Sequence, residues 1–312
     1  MNWFLPGPLH RPSPHRQKRV TLRPRLTATG DSDVSHIGSV LPLREVASPA
    51  RITASRTPIV AIASAAWVAS TLDLMTDRDK VAIVTGASRG IGAGLVEAYR
   101  KRGYAVVANA RSIVESSDAD VTTVAGDIAD PATAQRIITE AIARHGRVDT
   151  LINNAGVFVA KPFTMYTPED YASLTGVNLT GFFHLTQRVT AQMVDQGFGG
   201  HIVNVTTTLI EHAHAKVPSV LTALTKGGIA AATKSLATEF ASEGIRVNAV
   251  SLGVIDTPMH AGVDANAMYA GMHPQNRIGT VADVVDGVLY LETASFVTGE
   301  FLHVDGGQSA GH

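Results

Sequence analysis

The pattern of apolar and polar positions changes abruptly near residue 75. From there to the C-terminus, short apolar runs alternate with stretches in which apolar residues recur every three to four positions. This pattern predicts strands over residues 81–85, 105–108, 121–125, 151–153, 201–205 and 245–250 and helices over residues 93–102, 132–145, 181–196 and 220–242. Strands that alternate with helices indicate a parallel sheet covered on both faces. We therefore expect a doubly wound α/β fold, formed as one domain by residues 75–312.

Residues 1–74 lack any such period and are expected to form no core of their own. Their first thirty residues contain no acid, and prolines interrupt every possible helix there. Three explanations stay open. The segment could be a disordered targeting or regulatory tail, or an extension that precedes the true start. It could also contain an apolar anchor within residues 58–74, although this stretch is shorter than the ~20 residues that a bilayer requires. We favour Met75 as the start, because MTDRDKVAIVTG leads from polar residues directly into the first strand.

The composition narrows the class of protein. Apolar residues make up 45% and charged residues 17%, and the formal net charge is −1. A chain without bulk charge has no general attraction for nucleic acid or an anionic membrane, so we expect neither as a partner. Because cysteine is absent, disulfides, thiolate metal sites and a cysteine nucleophile are excluded. These totals indicate a cytoplasmic globular protein without a metal site.

Three glycines lie where the first strand is predicted to turn into the first helix. Gly86, Gly90 and Gly92 would let the backbone bend tightly and approach a pyrophosphate at the helix N-terminus, as in Rossmann-like folds. Their spacing, G-x-x-x-G-x-G, differs from the G-x-G-x-x-G dinucleotide fingerprint. The glycines alone are therefore compatible with either a nucleotide site or a plain tight turn.

Further motifs occur in a fixed order along the chain. They are TGASRGIG (85–92), NNAG (153–156), VNLTG (177–181), TKGG (225–228) and VTGEFLHVDGG (297–307). Together they resemble the short-chain dehydrogenase/reductase family over residues 76–308. The resemblance implies a Rossmann-like fold, hydride transfer between a nicotinamide dinucleotide and a small carbonyl or alcohol substrate, and pairing of the two long helices in a homodimer or homotetramer.

The resemblance also implies a set of cofactor-binding residues. The phosphates and the adenosine ribose would be held by Gly86, Ser88, Arg89, Gly90, Ile91 and Gly92. The adenine would meet Asp127 and Ile128, and the turn along the cofactor ribose would be Asn154, Ala155 and Gly156. Lys226 would bind the nicotinamide ribose, and Thr257 would lie near the nicotinamide amide.

Charge at the end of the second strand bears on the choice of cofactor. An acid there would accept hydrogen bonds from the ribose hydroxyls of NAD, but this chain has Ala110 followed by Arg111. Arg111 and Arg89 could clamp a 2′-phosphate through charge-assisted hydrogen bonds. We therefore predict that NADP(H) is preferred over NAD(H), with two ordinary surface arginines as the alternative.

The catalytic positions depart from the family's pattern. The family carries a Tyr-x-x-x-Lys pair, a spacing that places both side chains on one helix face. Lys226 matches the lysine, but Thr222 stands at the tyrosine position, and a threonine hydroxyl is far too weak an acid to replace a phenol. Asn178 matches the asparagine that holds a relay water. Thr207, or alternatively Thr206, matches the serine that holds the substrate carbonyl.

The missing tyrosine leaves both the proton donor and the function open. His212 or His214 could donate near neutral pH, although a solvated loop with two histidines is the plainer interpretation. One hypothesis is an NADP-dependent oxidoreductase with an altered proton donor. The alternative is a non-catalytic dinucleotide-binding protein that acts as a sensor or partner subunit.

The sequence does not identify the substrate. Residues 259–277 are predicted to form a lid, and their methionines indicate an adaptable apolar pocket.

Overall fold

Within residues 80–311, the part of the chain that the computed structural model describes, seven strands run parallel in one sheet. They are β1 (Val81–Thr85), β2 (Ala105–Ala110), β3 (Val121–Ala125), β4 (Thr150–Asn153), β5 (Gly200–Thr207), β6 (Ile245–Leu252) and β7 (Phe301–Val304). Their order across the sheet is β3-β2-β1-β4-β5-β6-β7. The order reverses between β1 and β4, and in such sheets a crevice opens there beyond the carboxyl ends of the strands.

Helices cover both faces of this sheet. They are α1 (Gly90–Lys101), α2 (Pro131–His145), α3 (Pro168–Leu174), α4 (Phe182–Gln196), α5 (Val220–Glu239), α6 (Ala265–Tyr269) and α7 (Val281–Thr293), and a π-helical segment (Thr175–Gly181) joins α3 to α4. None of these helices has the length and apolar character that a bilayer crossing requires.

Side chains of each strand alternate between two buried cores. In β1, Val81 and Ile83 pack with α2, α4 and α5, whereas Ala82 and Val84 pack with α1 and α7. Both faces are therefore buried, and the predicted doubly wound, Rossmann-like α/β fold is confirmed. The predictions for residues 1–74 lie outside the described residues.

The predicted elements are present, but the pattern missed others. α1 begins at Gly90 rather than at residue 93, because two of the loop glycines belong to its first turn. α3, α7 and β7 were not predicted. A signal for α7 exists in the sequence: Thr280 and Asp283 form a capping box, in which each side chain accepts from the other residue's backbone N–H.

A buried carboxylate on α7 joins elements that are distant in sequence. Glu292 accepts hydrogen bonds from the hydroxyls of Tyr99 (2.9 Å), Tyr104 (3.1 Å) and Thr150 (3.0 Å) and from Nδ1 of His201 (2.9 Å). Burial alone would raise the pKa of Glu292, but the hydrogen bonds from His201, Tyr99 and Thr150 lower it to about 2. Glu292 thus stays ionised and fastens α7 to α1, β4 and β5.

The histidine in this network is neutral. The Asn248 side-chain amide donates to His201 Nε2 over 3.1 Å, while its Oδ1 accepts from the Glu300 backbone N–H. His201 Nε2 is therefore an acceptor, and the ring hydrogen sits on Nδ1, where it reaches Glu292. Burial also lowers the pKa of His201, which favours the same neutral form.

Replacement of this carboxylate is expected to destabilise the fold. Glu292→Ala leaves several buried donors without an acceptor, at about 1–3 kcal/mol each, so we expect the free energy of unfolding to fall by at least about 3 kcal/mol. Glu97→Ala is the matched control, because Glu97 is exposed and bonds only Lys101 on its own helix (2.6 Å). Chemical denaturation measures both variants. Equal stability of the two would contradict the structural role of Glu292.

The same network adds a pH dependence. Because the pKa of Glu292 is lowered from 4.5 to about 2, its contribution is fully present above about pH 4.5 and is lost as the pH falls toward 2. The difference in unfolding free energy between the natural chain and Glu292→Gln should therefore shrink across this interval.

Candidate active site

The crevice beyond the carboxyl ends of the strands is a cleft of about 1150 Å³. It extends from the glycine-rich loop after β1 to the segment that carries α6. The structure brings every residue predicted to bind the cofactor to its walls: Gly86, Ser88, Arg89, Gly90, Ile91, Gly92, Arg111, Asp127, Ile128, Asn154, Ala155, Gly156, Lys226 and Thr257.

The loop between β1 and α1 requires glycine at specific positions. Gly86 and Gly90 have φ angles of +65° and +56°, in the left-handed region that other residues rarely adopt. A Cβ on Gly92 would overlap the carbonyl oxygen of Gly86, and a Cβ on Gly86 would lie 2.9 Å from Asn154 Nδ2. The loop is therefore pressed against the turn that follows β4.

Thr85, the last residue of β1, holds this turn in place. Its hydroxyl accepts hydrogen bonds from the backbone N–H groups of Asn154 (3.1 Å) and Ala155 (3.0 Å) and donates to the carbonyl of Ile152 (3.3 Å). The Asn154 amide in turn donates to the Thr85 carbonyl over 2.8 Å. Sequence reasoning missed Thr85, because nothing local distinguishes it from other strand-ending threonines.

The start of α1 suits an anion. Its N-cap residue, Arg89, makes no side-chain capping bond, and its first turn holds no acid. α5 likewise has no side-chain cap, whereas α2, α3 and α7 are capped by Asp130, Thr167 and Thr280. The uncapped backbone N–H groups and the helix dipole favour negative charge at this end of the cleft, so the residues present fit a dinucleotide pyrophosphate.

Two arginines face the cleft beside this loop. Both side chains, Arg89 and Arg111, are exposed. Unlike the other arginines of residues 80–311, they make no hydrogen bond or ion pair with another described residue through the guanidinium group. Ala110, which precedes Arg111 at the end of β2, is buried and places no acid there. The positive charge at this point is therefore not neutralised by the neighbouring residues.

Lys226 on α5 is buried at the other half of the cleft. Its Nζ donates to the carbonyl oxygen of Val205 over 2.6 Å. Burial lowers the pKa of Lys226 to about 8. Gly156 forms the wall beside it, and a Cβ there would lie 3.2 Å from Lys226 Nζ.

Asn178 lies behind this wall and not among the residues that line the cleft. Its Oδ1 accepts from the Val157 N–H (2.9 Å), and its Nδ2 donates to the Val157 carbonyl (3.1 Å) and to Thr225 Oγ1 (3.1 Å). The side chain therefore fastens the segment after β4 to α5. The π-helical segment that carries Asn178 has no signature in the sequence pattern.

The three threonines considered for catalysis differ in their hydrogen bonds. Thr222 lies one turn before Lys226, lines the cleft and is 2% exposed, and its Oγ1 has no partner among the described residues. Thr207 Oγ1 accepts from the Leu209 N–H over 3.3 Å, which leaves its hydroxyl hydrogen available to the cleft. Thr206 Oγ1 instead donates to the Val250 carbonyl (3.1 Å), so Thr207 is the better placed of those two.

The two loop histidines are separated by the structure. His214 is half-buried and lines the cleft, whereas His212 is exposed and lies outside it. His214 Nδ1 accepts the backbone N–H of Lys216 over 3.3 Å, so the hydrogen of its neutral ring sits on Nε2.

The far end of the cleft combines apolar and polar groups. Met259, Met268, Tyr269 and Met272, from the segment predicted as a lid, all line it. Two further residues there were missed by sequence reasoning. His260, which shows no partner pattern in the sequence, packs against the Tyr269 ring (centroids 5.9 Å apart), and Gln308 follows the last motif. His260 Nδ1 and Gln308 Oε1 are buried without partners among the described residues.

Comparisons with known proteins identify the family. A family model described as enoyl-(acyl carrier protein) reductase matches residues 86–309. An acetoacetyl-CoA reductase of Rhizobium meliloti is 34% identical over 239 residues, which cover 73% of this chain and 98% of that protein. The chain belongs to the short-chain dehydrogenase/reductase family. It is accordingly an oxidoreductase of the short-chain type that acts on a small molecule with a nicotinamide dinucleotide, as the motifs predicted.

Solved structures of the family agree with this assignment. A short-chain type dehydrogenase/reductase from Mycobacterium marinum superposes with a TM-score of 0.70 at 28% identity, covering 77% of this chain and 99% of that one. A 3-ketoacyl-(acyl-carrier-protein) reductase from Brucella melitensis, complexed with NADH, gives a TM-score of 0.69 at 28% identity over 74% and 98% of the two chains.

The glycine loop provides a direct test of the dinucleotide site. In Gly92→Ala, the new methyl group displaces the Gly86 carbonyl and distorts the loop. We expect NADPH affinity to fall at least tenfold, about 1.4 kcal/mol, in a fluorescence titration. Gly227→Ala is the control, because a Cβ there meets no atom within 4 Å. Unchanged NADPH affinity in Gly92→Ala would show that the dinucleotide binds elsewhere.

Proposed function

We propose that this protein is an NADPH-dependent reductase of small carbonyl compounds, in which a group other than tyrosine supplies the proton. The observation that carries this proposal is the shared cleft. It joins an uncapped helix N-terminus and two unneutralised arginines at one end to Thr207, Thr222 and Lys226 at the other. Residues 75–312 would form the working domain.

The preference for NADP(H) rests on charge at the end of β2. Arg89 and Arg111 present two guanidinium groups to the cleft, without neutralising partners among residues 80–311. A 2′-phosphate would gain charge-assisted hydrogen bonds from both, whereas the ribose hydroxyls of NAD would find no acid at Ala110. These groups together support NADP(H) over NAD(H).

The far end of the cleft supports an acyl or similarly apolar carbonyl substrate. Methionine side chains adapt to irregular apolar shapes, and three of them line this end. The unpartnered His260 Nδ1 and Gln308 Oε1 would bind polar groups on the same substrate. Acetoacetyl-CoA reductase and 3-ketoacyl-(acyl-carrier-protein) reductase, as their names state, reduce carbonyls of acyl thioesters, so this class is the first to test.

The chemistry requires a proton donor as well as a hydride. A bound nicotinamide would deliver hydride to the carbonyl carbon, and Thr207 would donate a hydrogen bond to the carbonyl oxygen. That oxygen must also gain a proton, for which the Thr222 hydroxyl is far too weak an acid. General acid catalysis contributes about 10²–10⁴ in rate, so the identity of the donor governs how fast this enzyme works.

The protein is also proposed to act as a homo-oligomer. The outward faces of α4 and α5 carry large exposed apolar side chains, of which Phe183 is 53% and Leu224 57% exposed. Pairing of these helices between two copies would remove that surface from water.

The cofactor preference predicts a selective loss. Arg89→Ala or Arg111→Ala should each remove a hydrogen bond to a charged group, worth about 1.5–3 kcal/mol, and weaken NADPH binding by about 10- to 100-fold. NADH binding should fall much less, because NADH lacks the 2′-phosphate. Arg144→Ala is the control, because that exposed arginine pairs with Glu140 on α2, outside the cleft. Equal loss of NADPH and NADH affinity would contradict a 2′-phosphate clamp.

Restoration of the tyrosine tests the altered proton donor. Thr222→Tyr places a phenol in the cleft one turn before Lys226, and we expect kcat for reduction of acetoacetyl-CoA to rise by at least about tenfold. NADPH affinity should change little, because the added group acts on the substrate oxygen. Steady-state kinetics with both ligands varied separates the two effects. If kcat does not rise, the absence of tyrosine at position 222 is not what limits the rate.

A further inference from the structure

Two buried polar groups lie one turn apart on α5 and face the same cleft. The Thr222 hydroxyl has no hydrogen-bond partner among residues 80–311, although it is almost wholly buried. Among the same residues, Nζ of Lys226 donates one hydrogen bond, to the Val205 carbonyl. An ammonium group has three N–H donors, so it retains capacity for further hydrogen bonds toward the cleft.

The walls around Lys226 leave room for a small molecule. Gly156 has no side chain, and a Cβ there would come within 3.2 Å of Nζ. On the other side, Thr222 occupies the helix position where a phenol ring would fill the space. Residues four apart on a helix have Cβ atoms about 5–6 Å apart, and one water can bridge two polar groups over such a gap.

Lys226 also has the acid strength that the step requires. A buried ammonium group loses solvation, and its pKa of about 8 keeps it protonated at neutral pH while making it a far better acid than an exposed lysine. A general acid works best when its pKa lies near the working pH. Thr222, in contrast, can hold a water but cannot supply a proton to it.

We propose that Lys226 is the proton donor of the reaction and that it acts through one water held by the Thr222 hydroxyl. As hydride forms the new C–H bond, the carbonyl π electrons move onto oxygen. The water gives a proton to that oxygen and takes one from Nζ, which becomes a neutral amine. Solvent then reprotonates the amine before the next turnover. This inference rests on the proposed reductase function.

Other titratable groups line the cleft and must be separated from Lys226. At the substrate end they are His214, Lys216, His260 and Tyr269, and at the dinucleotide end Arg89, Arg111 and Asp127. Of these, His214 is the group that the sequence also indicated as a proton donor, and its Nε2 carries the hydrogen that it would donate. The test therefore includes the variant His214→Ala, which lacks the imidazole ring.

The test measures the single-turnover rate of NADPH oxidation with excess acetoacetyl-CoA. Thr222→Val removes the hydroxyl with little change in volume and should slow hydride transfer at least about tenfold, without weakening NADPH binding. Thr222→Ser keeps a hydroxyl and should retain most of the rate. Thr190→Val is the matched control, because Thr190 Oγ1 is also buried and unpartnered but lies on α4, outside the cleft.

Lys226 is tested by chemical rescue. Lys226→Ala should lose the proton donor, and added methylamine or ethylamine should restore part of the single-turnover rate at saturating NADPH. The rate of the natural chain should fall as the pH rises through about 8, because Lys226 then loses its proton. His214→Ala should still show the fall in rate near pH 8, because Lys226 is intact in that variant.

The outcomes distinguish failure of the proton relay from failure of the proposed reductase function. A rate that is insensitive to Thr222→Val, or a rate that His214→Ala abolishes, would overturn the relay while leaving the reductase function intact. No NADPH oxidation by the natural chain with saturating NADPH and acetoacetyl-CoA would overturn the proposed function and the relay together.

Discussion

The arrangement of the whole cleft depends on the hydrogen bonds of the Thr85 hydroxyl. β1 and β4 are neighbours in the sheet, but the strand order reverses between them, and the chain leaves them toward opposite faces. The pairing of the two strands ends at Val84 and Ile152, and the turn beyond β4 needs a further link to β1. Thr85 provides it by accepting two backbone N–H groups after β4 and donating to the carbonyl of Ile152. This link sets the position against which the glycine loop packs.

The link made by Thr85 affects residues along the whole edge of the sheet. Asn154 lies against Gly86, which brings the glycine loop and the start of α1 to one side of the turn. Two residues later, Gly156 passes beside the Lys226 ammonium. One short segment therefore connects the dinucleotide end of the cleft to its reactive end. The lysine is buried, and the loss of solvation around its ammonium group lowers its pKa.

Much of this arrangement was predictable because its signals are local. The spacing of the glycines after an apolar run predicts the loop. The order of the motifs along the chain predicts the cofactor-binding residues, and these residues all line the cleft in the structure. The position of Thr222 followed from its spacing to Lys226 alone. The fold class followed from the alternation of strand and helix periods, since a parallel sheet with two buried faces requires it.

Other features depend on contacts between residues far apart in the chain, which a local pattern does not encode. Glu292 is one of many acids in the sequence, and only the packing of α7 on α1, β4 and β5 surrounds it with donors. Asn178 was expected to hold a relay water, and the bonds of its amide to Val157 and Thr225 depend on the π-helical segment that carries it. His260 and Gln308 reach the cleft through a segment without a regular period.

A buried, unusually acidic Lys226 is proposed to take over the proton transfer of the missing tyrosine. The most direct measurement is the ionisation of that amine itself, followed by NMR of the protein without dinucleotide, with lysine labelled at the ε-carbon and Lys226→Met used to assign the signal. We expect Lys226 to titrate with a pKa near 8. A pKa at the ordinary lysine value of 10.5 would contradict it.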